Sequence, residues 1–155
     1  DTFLNVDARM GMFIIGYSTS AAMIMNMVGK GSKYPFAYRD VDGNYLSGSS
    51  AYRLHVPANV PAANFWSVTL YDASNASGLD NGQPYPSIGS LDDLEYNGDG
   101  SVDLYFGPEL PEGAPASNWL RTVPGKGWFT LFRLYSPTEP FFDQSWKPND
   151  FEKIG

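Results

Sequence analysis

The chain is 155 residues long, with a net charge of −7, one histidine and no cysteine. That length fits one domain able to bury its own core, and 43% hydrophobic with 15% aromatic residues excludes a disordered chain. The acidic balance without a basic cluster argues against nucleic acid and acidic membrane surfaces as partners, and a lone histidine without thiols leaves no multi-histidine or thiolate metal site.

Residues 7 to 30 contain no proline, and Met10, Phe13, Ile14 and Tyr17 recur at helical spacing. Ala21, Met25 and Val28 continue the pattern. From Met10 to Gly29 no charge interrupts the run, which is long enough to cross a bilayer. Gly16, Ser18, Thr19, Ser20 and Asn26 make it too polar for a lipid-facing helix, and the acidic start with Asp1 and Asp7 does not suit a signal peptide. A packed helical segment within residues 1–33, broken near Gly16 to Ser20, is therefore predicted, and membrane insertion is not. The five methionines fit core filling better than copper binding.

The twelve prolines and sixteen glycines of the chain suit short strands joined by turns, and from residue 34 to 155 a β body is expected. A short strand is predicted over Phe36 to Arg39, with Asp42-Gly43 as a hairpin turn. Ala51 to Val56 alternates, with Tyr52, Leu54 and Val56 on one face and Arg53 and His55 on the other. Asn64 to Asp72 is rich in aromatic and β-branched residues and predicts a buried strand with Trp66, Val68 and Leu70 sharing a face. Residues 72 to 90 read as a long irregular segment. Asn97-Gly98-Asp99-Gly100 turns into a strand over Val102 to Phe106, a second long loop runs from Gly107 to Gly127, and Trp128 to Tyr135 closes the set. The expected architecture is a mainly β, antiparallel sandwich or jelly roll with an N-terminal helix.

If the alternation holds, Arg53, His55, Thr69, Tyr71, Asp103, Tyr105, Arg133 and Tyr135 all point away from the core. Rings interspersed with a few charges make a ligand surface, because flat rings supply apolar contact while Arg and Asp bond hydroxyls or carboxylates. Covering of that face by the N-terminal helix or a further domain is the competing reading. His55 near Asp103 is a candidate general base. The other acids fall mostly in turns, where aspartate bonds backbone, which weakens a paired-carboxylate glycosidase. Asp40-Val41-Asp42-Gly43-Asn44 departs from a calcium loop, with Tyr45 at its sixth position and Ala51 at its twelfth. Asn118-Trp119-Leu120 either plugs the end of the sheets or, with Asn81 and Tyr85, forms a platform for a sugar ring. Serine-nucleophile motifs, phosphate-binding glycine loops and dinucleotide fingerprints are absent, and no cofactor is expected.

Tyr34-Pro35, Asp40 to Gly43, Tyr52-Arg53-Leu54, Phe65 to Asp72, Asn97 to Ser101, Asn118-Trp119-Leu120 and Phe129 to Tyr135, taken in order, resemble the domain-of-unknown-function family DUF1214 over about residues 5 to 150. The resemblance implies an all-β domain preceded by a helix, often in periplasmic, secreted or envelope proteins and commonly C-terminal to a DUF1254 half. It carries no established catalytic residues. Where the family often has an Asn-Pro turn and an arginine, this chain has Asn81-Gly82-Gln83-Pro84-Tyr85. A missing partner half would leave an apolar patch needing a partner domain or self-association. Three functions follow as expectations: a non-catalytic interaction or carbohydrate-binding module, a glycan-directed hydrolase using carboxylates or His55, and a structural or oligomerisation domain.

Overall fold

The computed structural model describes residues 26–154. Most of the expected N-terminal helix therefore lies outside the described residues. Within the remainder, Ser32–Lys33 is a β-strand, so the β body begins before residue 34.

Among the described residues nine strands form two sheets. The first contains β1 (Ser32–Lys33), β2 (Phe36–Ala37), β4 (Trp66–Asp72), β5 (Ser87–Gly89) and β8 (Trp128–Tyr135). Its order is β1-β8-β4-β5, with β2 also paired to β8. The second contains β3 (Ala51–Val56), β6 (Val102–Gly107), β7 (Trp119–Arg121) and β9 (Glu152–Ile154), ordered β7-β6-β3-β9. The only α-helix among the described residues is the single turn α1 (Glu139–Phe142).

The strong strands follow from sequence periodicity. In β3 the buried residues are Tyr52, Leu54 and Val56; in β8 they are Trp128, Thr130, Phe132 and Leu134. Each alternates with half-buried neighbours, as a pleated strand with one face on a core requires. The inner faces of the two sheets meet in one hydrophobic core. Trp128 of the first sheet packs edge-on against Tyr52 and stacks on Phe106 of the second, with centroids 5.7 and 5.6 Å apart. Burying each such side chain stabilises the fold by about 1.5–3 kcal/mol.

Two expectations need correction. The second sheet is mixed rather than antiparallel, because β7 runs parallel to β6, with Tyr105 opposite Trp119 and Phe106 opposite Leu120. A parallel pair needs a long crossover, which the chain between β6 and β7 provides. The two long segments expected to be irregular also contribute strands β5 and β7. Both are short and gain their hydrogen bonds from distant partners, β4 and β6.

Candidate functional site

The single outward face expected from alternation is two faces. Thr69, Tyr71, Arg133 and Tyr135 lie on the outer side of the first sheet, on β4 and β8. Arg53, His55, Asp103 and Tyr105 lie on the outer side of the second, on β3 and β6. The sheets face each other across the core, so the two groups look away from the molecule in opposite directions. Alternation tells inside from outside, but not which sheet a strand joins.

On both faces most of the polar side chains are already bonded to neighbours. Arg133 donates through Nη1 to Thr69 Oγ1 (2.6 Å) and through Nη2 to the Tyr71 hydroxyl, and its guanidinium lies over the Tyr71 ring. Thr69 also shares a hydrogen bond with Ser87 of β5. Tyr135 stacks on Phe65 with centroids 4.0 Å apart. On the other face Arg53 donates to Glu152 at 2.6 Å, and this bond raises the Arg53 pKa further. His55 Nδ1 sits 2.8 Å from Asp103 Oδ1, while Asn97 Nδ2 donates to the other Asp103 oxygen. His55 and Asp103 are directly opposed in the β3–β6 register, so two strands hold the pair. These are cross-strand ties, which stabilise a sheet by about 0.2–1 kcal/mol each.

The loop candidates also separate. Asn118 is buried and spans three backbone groups, accepting from Glu95 N and donating to Glu95 O and Asp103 O. Asn81 is buried too, donating to Arg121 O and Gln83 Oε1 and accepting from Gln83 N. Both are pins for loops rather than surface groups. Trp119 is half-buried, donates through Nε1 to Gly107 O and carries Arg121 over its ring. Tyr85 is exposed and shares with Trp119 a shallow depression of about 300 Å³ that also includes Asp92 and Asp93.

The acids behave as turn residues. Asp40 Oδ1 accepts from Asp42 N and Asn44 N, Asp99 from Ser101 N, and Asp92 from Gly89 N. The Ser74 hydroxyl, the Lys126 ammonium and the Ser74 amide hold the Asp72 carboxyl well below the usual range. Among the described residues no three acidic or histidine side chains gather into a metal-binding group.

A further surface escaped sequence reasoning. Phe36, Tyr38 and Tyr45 are exposed (66%, 47% and 68%) and stand in a row. Phe36 stacks on Tyr38 with centroids 5.9 Å apart, and Tyr38 on Tyr45 at 6.2 Å. The row follows from local structure. β2 pairs with β8, and the chain then turns back through the Arg39–Tyr45 bridge. Asp40 caps that turn, and Gly43 takes a φ of +84° that other residues resist. The rings border a groove of about 590 Å³ whose lining also includes Leu46, Ala73, Trp128 and Phe129. Trp128 is buried, and its Nε1–H has no acceptor among the described residues. Arg39 lies at the Tyr45 end, its guanidinium 4.6 Å from that ring centroid and its Nη2 donating to the Tyr45 hydroxyl. The signal was present in Tyr34, Phe36 and Tyr38, three rings at every second position of an extended segment.

Two solved structures share the fold. The VPA0106 protein of Vibrio parahaemolyticus matches with a TM-score of 0.69 and 23% identity, over 80% of this chain and 31% of that one. An uncharacterized protein from Burkholderia cenocepacia matches with a TM-score of 0.59 and 20% identity, over 79% and 29%. The chain thus spans less than a third of either relative. No curated protein matches it. The profile of the protein family of unknown function DUF1214 matches residues 31–139, most of the chain, and the chain belongs to that family.

Proposed function

We propose that this chain is a non-catalytic binding module whose ligand platform is the aromatic groove of Phe36, Tyr38 and Tyr45, and that its ligand is a saccharide. One observation carries the reading: three large rings stand open in a row along a concave, mostly apolar surface. Exposing such rings brings no gain in folding stability, whereas a sugar lays its C–H faces on them and leaves its hydroxyls to polar neighbours. The two sheet faces fit this role less well, because their rings Tyr71, Tyr105 and Tyr135 are half-buried and Arg53, His55 and Asp103 are paired within the chain.

The resemblance that implies an exported or envelope parent protein suits a module that meets glycans outside the cytoplasm. A DUF1254-type half would then supply any activity of the whole protein. The reading is tested on a glycan array followed by titration of any hit, using intrinsic tryptophan fluorescence. Binding that falls at least about tenfold in Phe36→Ala or Tyr38→Ala supports it. An array blank across neutral and acidic polysaccharides contradicts it.

A second reading, glycan hydrolysis, has the His55–Asp103 contact in its favour. Hydrolysis that is present in the unaltered chain and lost in both His55→Ala and Asp103→Ala would favour it over the binding module.

A further inference from the structure

Resting on the saccharide reading of the groove, we infer that the ligand is an acidic sugar, a uronic acid whose carboxylate is taken by Arg39. Arg39 is exposed at the end of the aromatic row and makes no ion pair among the described residues. Its own bonds are to neutral acceptors, the Gly43 carbonyl at 3.3 Å and the Tyr45 hydroxyl at 3.2 Å. Arg53 and Lys126, by contrast, each hold a carboxylate, Glu152 and Asp72, and Arg133, which like Arg39 bonds neutral oxygens, is half-buried on its sheet.

A guanidinium is a planar fork that matches a carboxylate with two parallel hydrogen bonds. Here it is held against the rings, its carbon 4.6 Å from the Tyr45 centroid and 5.8 Å from that of Tyr38. A sugar stacked on Phe36 and Tyr38 would carry its ring substituents toward that end of the row. The acids nearby do not occupy the fork. Asp40 is buried and bonds the amides of Asp42 and Asn44, and Asp72 is bonded to Lys126 and Ser74. Asp42, exposed at the tip of the hairpin, is the charge that opposes an anion, and it limits how much of the attraction is long-range. Discrimination therefore comes from the directional Arg39 contact rather than from a positive field.

The test is calorimetric titration of the full chain with tetragalacturonate and with its methyl ester, which keeps the rings but masks the carboxylates. The free acid should bind about tenfold more tightly, the ratio expected when a charge-assisted pair replaces a neutral contact. Arg39→Gln should bring acid and ester to equal affinity. Equal binding of acid and ester, or a ratio that survives Arg39→Gln, overturns the uronate inference and leaves the saccharide platform standing. If neither form binds, nor any neutral oligosaccharide, the platform reading fails and the inference fails with it.

Discussion

The outer faces of the two sheets and the groove beside the Arg39–Tyr45 hairpin are built from similar residue types, yet they differ in how those residues are committed. On the sheet faces arginine, histidine and tyrosine close on one another: Arg133 on Thr69 and Tyr71, Arg53 on Glu152, His55 on Asp103. At the groove the rings stack but remain exposed, and Arg39, itself exposed, bonds a carbonyl and a phenol and lies against the Tyr45 ring. Regular strands supply partners at fixed spacing on each side, so polar side chains there find one another. A two-residue strand followed by a tight turn leaves its side chains with fewer neighbours.

Four substitutions probe that contrast. The largest effect should come from Trp128→Ala, since this residue lines the groove and also packs on Tyr52, Phe106 and Phe151 in the core. Denaturant unfolding should show a loss of about 3–5 kcal/mol. A loss below about 1 kcal/mol would mean that groove and core are separable. Arg133→Met comes next, because it strands two hydroxyls, and about 1–2 kcal/mol should be lost with ligand binding intact. His55→Ala should cost no more than about 1 kcal/mol, as expected for a partly exposed pair. Phe36→Ala should have the smallest effect on stability, within about 0.5 kcal/mol, because the ring is open to solvent.

A pH series gives an independent check on the ties. Asp72, Asp99 and Asp143 all have pKa values below the ordinary 3.8, chiefly through the hydroxyls of Ser74, Ser101 and Ser145. A carboxyl whose folded pKa lies below its unfolded one stabilises the fold fully above the unfolded value, and that contribution is lost as pH falls through the folded value. Stability should therefore fall on acidification below about pH 4, and Asp72→Asn should flatten that fall. An unchanged profile in Asp72→Asn would remove the Ser74 and Lys126 bonds as its cause.

The sequence carried much of the fold because its longest strands are strongly patterned. Ala51 to Val56 and Trp128 to Tyr135 alternate cleanly and are strands over those spans. β5 and β7 were not legible: Ser87-Ile88-Gly89 follows Pro86 and is three residues long, and Trp119–Arg121 is a strand only because β6 lies beside it. Of the site candidates, the His55–Asp103 contact was anticipated and the structure places the two side chains 2.8 Å apart. Alternation could not divide eight outward residues between two sheets, since strand order is a long-range property. The strand at Phe36 and the Asp42-Gly43 turn were legible, but that Phe36, Tyr38 and Tyr45 stay exposed beside a groove rather than pack on the core depends on long-range pairing, which local pattern does not carry.

The contrast between tied faces and an open groove can be put to one measurement, the affinity of tetragalacturonate for two double variants. Phe36→Ala with Tyr38→Ala removes the open rings, while Arg133→Met with His55→Ala removes ties on both sheet faces. The first should lose binding by more than about tenfold with its fold intact, and the second should bind as the unaltered chain does. Binding that survives the first pair and is lost in the second would contradict the account.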